Sequence, residues 1–418
     1  MTKLLNFTVG NFRSFGEKRT FTFLTDKRAG RAGKGTFKAG PYRLSVISAC
    51  YGANSGGKSN LVDAMALMRM IIRESVRINE DEPLPYDPFV LTAEQKNGPQ
   101  TFDLSFIDDE ETVYRYGFKN TADGISREWL FTEKKGARKE FPLFVRKDEK
   151  ILVDDEAFPE GVPFVDNCNR NRLFLSLVGQ LGGKIAKKVL SFFIADFNIL
   201  SGLESRGYGA FTQEQFDKKN EVASKALNFF KRIDLGFDDI EIHREPISPD
   251  FLNRFPEEIR QRAPKEQLKT YSVHKIPGTS DMTLEAPFED FESSGSQKVF
   301  DLSGPVFDSL NRGAVLVIDE LDAKLHPLLT REIIRLFASA ESNPANAQLF
   351  FSTHDSNLLS SKLLRADQIW FVEKDRLMRS DLYRATDMVL PDGTPMPVLS
   401  DHTDFYLSGR YGATPFIK

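Results

Sequence analysis

The segment GANSGGKS, residues 52–59, constrains the fold of this chain more than any other stretch. It fits the pattern G-x-x-x-x-G-K-[ST], follows an apolar run typical of a strand, and opens a segment with helical periodicity. This order predicts a loop whose backbone N–H groups and adjoining helix N-terminus hold phosphate oxygens. The alternative is an ordinary glycine turn before a helix, although a chance match to the motif is about one in a hundred.

Each residue type in this loop has a chemical role. Gly52 and Gly57 allow the loop to curl, so that consecutive N–H groups point inward. Lys58 can reach the β- and γ-phosphates of a nucleotide, and the Ser59 hydroxyl is suited to bind Mg²⁺. We therefore predict a nucleotide site made of Gly52, Ala53, Asn54, Ser55, Gly56, Gly57, Lys58, Ser59 and Asn60.

Two acidic residues follow a second apolar strand. The segment AVLVIDE ends in Asp319 and Glu320, at the carboxyl edge of the predicted sheet, where open α/β folds bind their ligands. Because successive side chains point to opposite faces, Asp319 can join the Mg²⁺ shell while Glu320 orients or deprotonates the attacking water. The pair favours hydrolysis over the transfer chemistry of kinases. The alternative, a strand ending in solvated acids, is weakened by the phosphate loop upstream.

A third apolar strand, in LFFSTHD, ends at Thr353, His354 and Asp355. A neutral imidazole at the end of a strand beside the phosphates can sense the γ-phosphate or position the water. Alternatively, Asp355 or Ser356 caps the helix predicted for the following segment, and His354 is there incidentally. The residues alone leave both interpretations open.

The pattern along the chain predicts an α/β fold. Helices and strands alternate in the last third, which is typical of a mostly parallel sheet covered on both faces. Earlier segments predict an antiparallel β lobe and a helical insert, without a long coiled coil. We expect three parts: an N-terminal lobe with the phosphate loop at 1–125, an inserted β and helical region at 126–265, and a C-terminal lobe at 266–418.

Composition limits the partners of this chain. The net charge of −4 excludes a global basic field that would attract nucleic acid. Residues 27–38 form a local exception, with five cations and no acid, and either contact nucleic-acid phosphates or form a solvated, nucleotide-flanking loop. With two cysteines and no apolar run of signal-peptide or membrane-span length, we expect a cytoplasmic protein without membrane contact.

The order of these motifs resembles the ABC-type ATPase heads of the SMC/RecF group. Read alone, FESSGSQKVF, residues 291–300, looks like a short linker. By the resemblance it stands where those heads carry the signature Leu-Ser-Gly-Gly-Gln, and residues 293–297 read Ser-Ser-Gly-Ser-Gln. The resemblance implies that Ser294, Gly295 and Gln297 bind the nucleotide held by a second chain, and that His354 is the switch histidine.

Several segments resemble one branch more closely, the single-chain ATPases of the AbiL/RloA type found in bacterial anti-phage systems. They are FTVGNFRSF, GANSGGKSN, DELDAKLHPLL, DQIWFVEKD and YLSGRYGATP. The resemblance implies hydrolysis of ATP with Mg²⁺, with Glu320, His354 and Lys58 as catalytic residues. It also implies a head-to-tail homodimer or higher homo-oligomer that controls a separate effector, often a Toprim-type nuclease. The alternative is a RecF-like repair ATPase that binds DNA directly.

Two further side chains are weaker candidates. ABC heads carry a glutamine that couples the nucleotide to the inserted lobe, and Gln100 is either this residue or a solvated loop glutamine. Arg13, in NFRSF, either contacts the phosphates from the first hairpin or is a surface arginine in a turn.

Overall fold

The computed structural model describes residues 1–27, 35–133, 136, 139–203, 206–248, 252–254, 256–262, 264–279, 282–360, 363–389, 393–395 and 401–413. Its strands are β1 (Lys3–Gly10), β2 (Arg19–Thr22), β3 (Thr36–Ala39), β4 (Tyr42–Ser45), β5 (Ile47–Tyr51), β6 (Gln100–Ile107), β7 (Val113–Asn120), β8 (Ile125–Glu133), β9 (Phe141–Lys147), β10 (Lys150–Val153), β11 (Phe197–Ser201), β12 (Asp239–Pro246), β13 (Glu266–Lys275), β14 (Thr283–Pro287), β15 (Val315–Asp319), β16 (Gln348–Ser352), β17 (Ile369–Lys374) and β18 (Ser380–Arg384). Its α-helices are α1 (Lys58–Glu74), α2 (Ala93–Asn97), α3 (Phe174–Gln180), α4 (Lys184–Ser191), α5 (Arg206–Asp217), α6 (Glu221–Arg232), α7 (Glu257–Arg262), α8 (Phe288–Phe291), α9 (Ser294–Arg312), α10 (Pro327–Ala338) and α11 (Thr403–Leu407).

Six strands form the sheet that carries the predicted nucleotide site. Their order is β11-β15-β16-β5-β17-β18, and every neighbouring pair is parallel except β17 with β18. Strands β5, β15 and β16 are apolar and almost wholly buried, as expected for parallel strands covered on both faces. Since parallel strands end at the same edge, these three bring the phosphate loop, the acidic pair and His354 to one side.

A seven-stranded antiparallel sheet, in the order β10-β9-β8-β7-β6-β1-β2, packs against the central sheet. The Phe21 ring joins the two, with its centroid 4.8 Å from that of Phe350 and 5.2 Å from that of Trp370. Such aromatic pairs add to the stabilisation that burial itself provides. The predicted α/β class, with a mixed sheet, an antiparallel lobe and helices between them, is confirmed.

The helices of the middle region are divided at a glycine and begin at an asparagine cap. Gly182, with φ 106°, separates α3 from α4, and Asn220 starts α6 by accepting a hydrogen bond from the Ala223 N–H. The predicted boundary between 125 and 126 falls at the start of β8, which pairs with β7, and the three-part division stays a prediction. Among the described residues, none of the helices combines the length and apolar character that crossing a membrane requires.

A buried lysine, Lys3, is hydrogen-bonded to the backbone just before the amino end of β15. Lys3 is 6% exposed, and its ammonium group donates hydrogen bonds to the Gly313 carbonyl at 2.6 Å and the Ala345 carbonyl at 2.8 Å. Burial lowers the pKa of Lys3 to about 8, although the charge of Asp196 acts in the opposite direction. The folded protein therefore releases the Lys3 proton at a lower pH than the unfolded chain does.

We expect Lys3→Met to flatten the alkaline pH dependence of stability. Unfolded Lys3 keeps its proton up to a pKa of 10.5, whereas folded Lys3 loses it at a pKa of about 8, so this lysine makes stability rise with pH through that window. Between these two pKa values, the free energy of unfolding of the wild type should rise by about 3 kcal/mol relative to that of Lys3→Met. Urea unfolding at a series of pH values measures the difference, and parallel curves for the two proteins would contradict the expectation.

Candidate functional site

The phosphate loop, Glu320 and His354 line one cleft at the carboxyl edge of the central sheet. Its volume is about 350 Å³, and the residues that line it are Ala53, Asn54, Ser55, Gly56, Gly57, Lys58, Ser59, Asn60, Glu320 and His354. The loop joins β5 to α1, while Glu320 follows β15 and His354 lies just beyond β16. Three motifs that are far apart in sequence therefore surround one space.

The loop glycines are required by the close approach of neighbouring atoms. A Cβ on Gly52 would lie 2.3 Å from the Val372 carbonyl oxygen, and a Cβ on Gly57 would lie 2.3 Å from Ser380 Oγ. Gly57 also has φ 121°, a conformation that favours glycine. A bare backbone is therefore needed on the outer side of the loop as well as on the side that faces the cleft.

Two serines outside the motif hold the loop in place. Ser380, the first residue of β18, donates a hydrogen bond to the Gly56 carbonyl at 2.6 Å, and its Oγ lies 2.7 Å from Ser14 Oγ. Ser14 in turn accepts a hydrogen bond from the Asn60 amide at 2.7 Å. Sequence patterns do not reveal these residues, because nothing distinguishes them from other serines in turns and strands.

Lys58 bends back over its own loop. Its Nζ donates to the Gly52 carbonyl at 2.8 Å and to the Ala53 carbonyl at 3.3 Å. Burial lowers the pKa of Lys58, while nearby acids, Asp319 and Glu320 among them, act in the opposite direction. An ammonium group that donates to carbonyl oxygens at the head of a cleft is well placed to exchange them for phosphate oxygens.

One buried hydroxyl binds both residues of the acidic pair. Ser352 Oγ donates to Asp319 Oδ1 at 2.5 Å and accepts from the Glu320 N–H at 2.8 Å. This serine ends β16, the strand next to β15, so the sheet register sets its position. The hydroxyl fixes the Asp319 carboxylate and the Glu320 backbone relative to each other.

The backbone of Glu320 is held in an uncommon conformation. Its φ is 53°, in the left-handed region, where a residue with a side chain is strained by about 1–3 kcal/mol. Gly202 lies against it, since its N–H donates to the Asp319 carbonyl at 2.5 Å and a Cβ there would come within 2.0 Å of the Glu320 carbonyl oxygen. Such strain persists where the surroundings impose it, often at functional sites.

The structure places the His354 imidazole in the cleft lining. The backbone N–H of His354 donates to Asp322 Oδ2 at 3.2 Å, which links the histidine to the loop after the acidic pair. Desolvation in the cleft and the charge of Lys58 lower the pKa of His354, although Asp322, Glu320 and Asp319 act in the opposite direction. The imidazole is therefore neutral at pH 7 and can accept as well as donate a hydrogen bond.

The alternative interpretation, in which this segment caps the next helix, also holds, and the capping residue is Asp355 rather than His354. Asp355 Oδ1 accepts from the Asn357 N–H at 2.9 Å and starts a short 3-10 helix, Ser356–Leu359. The longer helix predicted from SNLLSSKLL is wrong in the residues that the structure describes. Capping by Asp355 and the position of His354 in the cleft are therefore compatible.

The signature residues begin α9 and do not face their own chain's cleft. Ser293 is the N-cap, because its Oγ accepts from the Ser296 N–H at 3.1 Å. Ser294 is exposed, and the Gln297 amide donates to the carbonyls of Glu289 and Glu292 at 2.8 and 2.9 Å. The predicted contacts of Ser294, Gly295 and Gln297 with a nucleotide stay predictions.

The two weaker candidates have partners of their own. Gln100 is fully buried in β6 rather than solvated, and its amide donates to Asn120 Oδ1 at 3.0 Å. Arg13 pairs with Asp63 and, at 2.7 Å, with Asp87. Neither side chain is among the cleft-lining residues in the described part of the chain.

The basic loop is only partly described. Lys27 and Lys38 are exposed, whereas Arg28, Arg31 and Lys34 lie outside the described residues. Contact between residues 27–38 and nucleic acid therefore stays a prediction.

Comparisons with known proteins give one family. Residues 47–360 match the family described as "AAA domain, putative AbiEii toxin, Type IV TA system". No curated protein matches the chain. Among solved structures, one similar chain is described as "Structure of the recombination mediator protein RecF-ATP in RecFOR pathway", with 13% identity, a TM-score of 0.38, and coverage of 92% of this chain and 99% of that one.

The family match spans most of the chain and includes the phosphate loop, the acidic pair and His354. It confirms the ATPase resemblance that these motifs indicated. The chain belongs to this AAA domain family.

Proposed function

We propose that this protein binds ATP with Mg²⁺, hydrolyses it, and acts as the sensor and regulatory scaffold of an anti-phage defence complex. The observation that carries the ATPase activity is the convergence of Lys58, Glu320 and His354 on one cleft. The defence context is supported by the family name and by the resemblance to AbiL/RloA ATPases. The separate effector, a nuclease, rests on that resemblance.

The cleft supplies the groups that ATP hydrolysis requires. Ser59, in the cleft lining, and Asp319, which ends β15 just before Glu320 and is not itself a lining residue, offer the oxygen ligands that Mg²⁺ prefers, and the bound ion would offset charge on the phosphates. Lys58 exchanges its loop carbonyls for β- and γ-phosphate oxygens. Glu320 accepts a proton from water as the water oxygen bonds to the γ-phosphorus and the bond to ADP breaks. The neutral His354 imidazole hydrogen-bonds the water or the γ-phosphate.

Several observations support a nucleotide shared between two copies. Gly295 has room for a side chain, since a Cβ there would lie 3.6 Å from the Lys324 carbonyl oxygen, its nearest neighbour, so packing within this chain does not explain the glycine. Two large apolar side chains close in sequence to this contact are exposed: Phe291, shortly before Gly295, at 57%, and Leu328, shortly after Lys324, at 60%. A homodimer or higher homo-oligomer, with Ser294 of one copy at the nucleotide of the other, accounts for the space at Gly295 and for the exposure of both apolar side chains.

The γ-phosphate then acts as the switch. A triphosphate reaches from Lys58 of one copy to the N-terminus of α9 in the other, where free N–H groups and the helix dipole favour a negative charge. Hydrolysis removes the γ-phosphate and weakens the dimer. The bound nucleotide therefore determines whether the effector meets a dimer or separate copies.

We expect Gly295→Glu to abolish ATP-dependent self-association and leave ATP binding intact. The new carboxylate would stand opposite the γ-phosphate, and this repulsion should weaken association by about a hundredfold. Mass measurements with ATP and with ADP, together with nucleotide affinity, test this. The matched control is Gly207→Glu, at an exposed helical glycine where an added Cβ would have nothing within 4 Å. Equal association of the two variants would contradict the shared site.

The regulatory role needs a separate experiment. The protein is expressed alone and together with the product of the neighbouring gene, and both co-purification and cell growth are measured. We expect a stable complex and no toxicity from the ATPase alone. Toxicity of this chain without any partner would contradict the proposal that it controls another effector.

A further inference from the structure

A third buried lysine, besides Lys3 and Lys58, lies on the inner side of the signature helix. Lys298 follows Ser294 by one turn of α9 and is 4% exposed. Its Nζ donates to the Gly202 carbonyl and to the Tyr208 hydroxyl, the latter at 2.5 Å, and lies 5.2 Å from the centroid of the Tyr208 ring. Lysine is almost never this buried unless it has partners, so we asked what these two contacts of Lys298 hold in place.

The Lys298 contact leads directly to the acidic pair. Gly202 follows β11, whose last residue, Ser201, is in register with Asp319 at the end of β15. The Gly202 N–H donates to the Asp319 carbonyl, and its Cα faces the Glu320 carbonyl so closely that no Cβ fits between them. The peptide groups on both sides of the Gly202 Cα are thus fixed, one by the acidic pair and one by Lys298.

We propose that Lys298 is a positioning residue for ATP hydrolysis: through Gly202 it holds Glu320 in its left-handed conformation and ties it to the orientation of α9. The inference rests on the proposed ATPase function. In the proposed dimer the N-terminus of α9 meets the nucleotide of the other copy, so the link would make the glutamate of each copy dependent on the site of its partner. Ser352 fixes the same backbone from β16, so the Glu320 backbone is held from both sides of β15, directly by Ser352 and through Gly202 by Lys298.

The chain contains a close control for this lysine. Lys3 is also buried, also donates to main-chain carbonyls, and also has its pKa lowered to about 8 by burial, as has Lys298. Lys3, however, contacts Gly313 at the amino end of β15, whereas Lys298 acts at the carboxyl end. Substituting Met at the two positions removes an ammonium group near the amino end of β15 in one variant and near its carboxyl end in the other.

The test compares Lys298→Met, Lys298→Arg and Lys3→Met. We expect Lys298→Met to lower kcat by about a hundredfold, the size of effect that follows from displacing a reacting group by about 1 Å, while the Kd for ATP changes less than about twofold. Lys298→Arg keeps a cationic donor and should recover at least about tenfold in kcat. Lys3→Met should keep the kcat of the wild type, and thermal unfolding of all variants reports the structural effect of each change.

Each outcome decides the matter. A wild-type kcat in Lys298→Met overturns the positioning role, and so does a loss of kcat that Lys3→Met reproduces at the same change in Tm. If Lys298→Met does not fold, Lys298→Gln replaces it, because the shorter neutral side chain does not span the same distance, and the same loss is expected. A wild type that hydrolyses no ATP would overturn the proposed function itself, whereas wild-type turnover with an unaffected Lys298→Met overturns only this inference.

Discussion

Replacing Glu320 with Gln should lower the rate of ATP hydrolysis by about a thousandfold while ATP binding is retained. The amide has the size and shape of the carboxylate, so the cleft and the contact with Ser352 persist, but it accepts no proton from water. In the proposed dimer, ATP bound between two copies would then survive, so the dimer should accumulate. Phosphate release, nucleotide affinity and mass in the presence of ATP measure the three effects separately.

A second glutamate controls for the unusual backbone at this position. Glu111 also has a positive φ, 61° against 53° for Glu320, and lies in the turn between β6 and β7. Glu111→Gln should leave hydrolysis unchanged, which would separate loss of the base from any general effect of an amide in the left-handed region. Normal turnover in Glu320→Gln would exclude this residue as the base.

Lys58→Met should remove ATP binding rather than slow the chemistry. The lysine would give charged hydrogen bonds to the phosphates, each worth about 1.5–3 kcal/mol, so losing two should weaken ATP affinity by at least about a hundredfold. Met keeps the apolar stem in place. Because burial already lowers the pKa of Lys58, replacing this ammonium group should not greatly reduce the stability of the nucleotide-free protein.

Titration with a fluorescent ATP analogue measures the loss, and Lys3→Met again serves as the control. Both lysines are buried and hydrogen-bonded to carbonyls, but only Lys58 lines the cleft in the described part of the chain. We expect full ATP affinity in Lys3→Met. Retained affinity in Lys58→Met would contradict the assignment of the phosphate loop.

The parts of the site that sequence predicts are those in which adjacent residues carry the chemistry. The phosphate loop is recognisable by its glycines, Lys58 and Ser59 in one short motif, and Glu320 by its place as an acid that ends an apolar strand. Parallel strand geometry then places both at one edge of the sheet. The local sequence patterns and the general rule for parallel sheets were therefore enough to predict that these residues share one cleft.

The supporting residues could not be predicted, because their roles depend on which strands become neighbours. Gly202 touches Glu320 only because β11 pairs with β15, and Ser352 reaches both acids only because β16 lies on the other side. No local pattern marks β11, since it follows directly on a π-helical turn, Phe192–Asp196, that continues the apolar periodicity of α4. Strand order and register are global properties of the fold.

The serine contacts around the phosphate loop have a consequence for the biosynthesis of this protein. Ser14 and Ser380, which brace the loop together, are 366 positions apart in the chain. A growing polypeptide on the ribosome carries the phosphate motif long before it carries β18. The loop therefore gains its Ser380 contact only after β18 has been synthesised and has paired with β17.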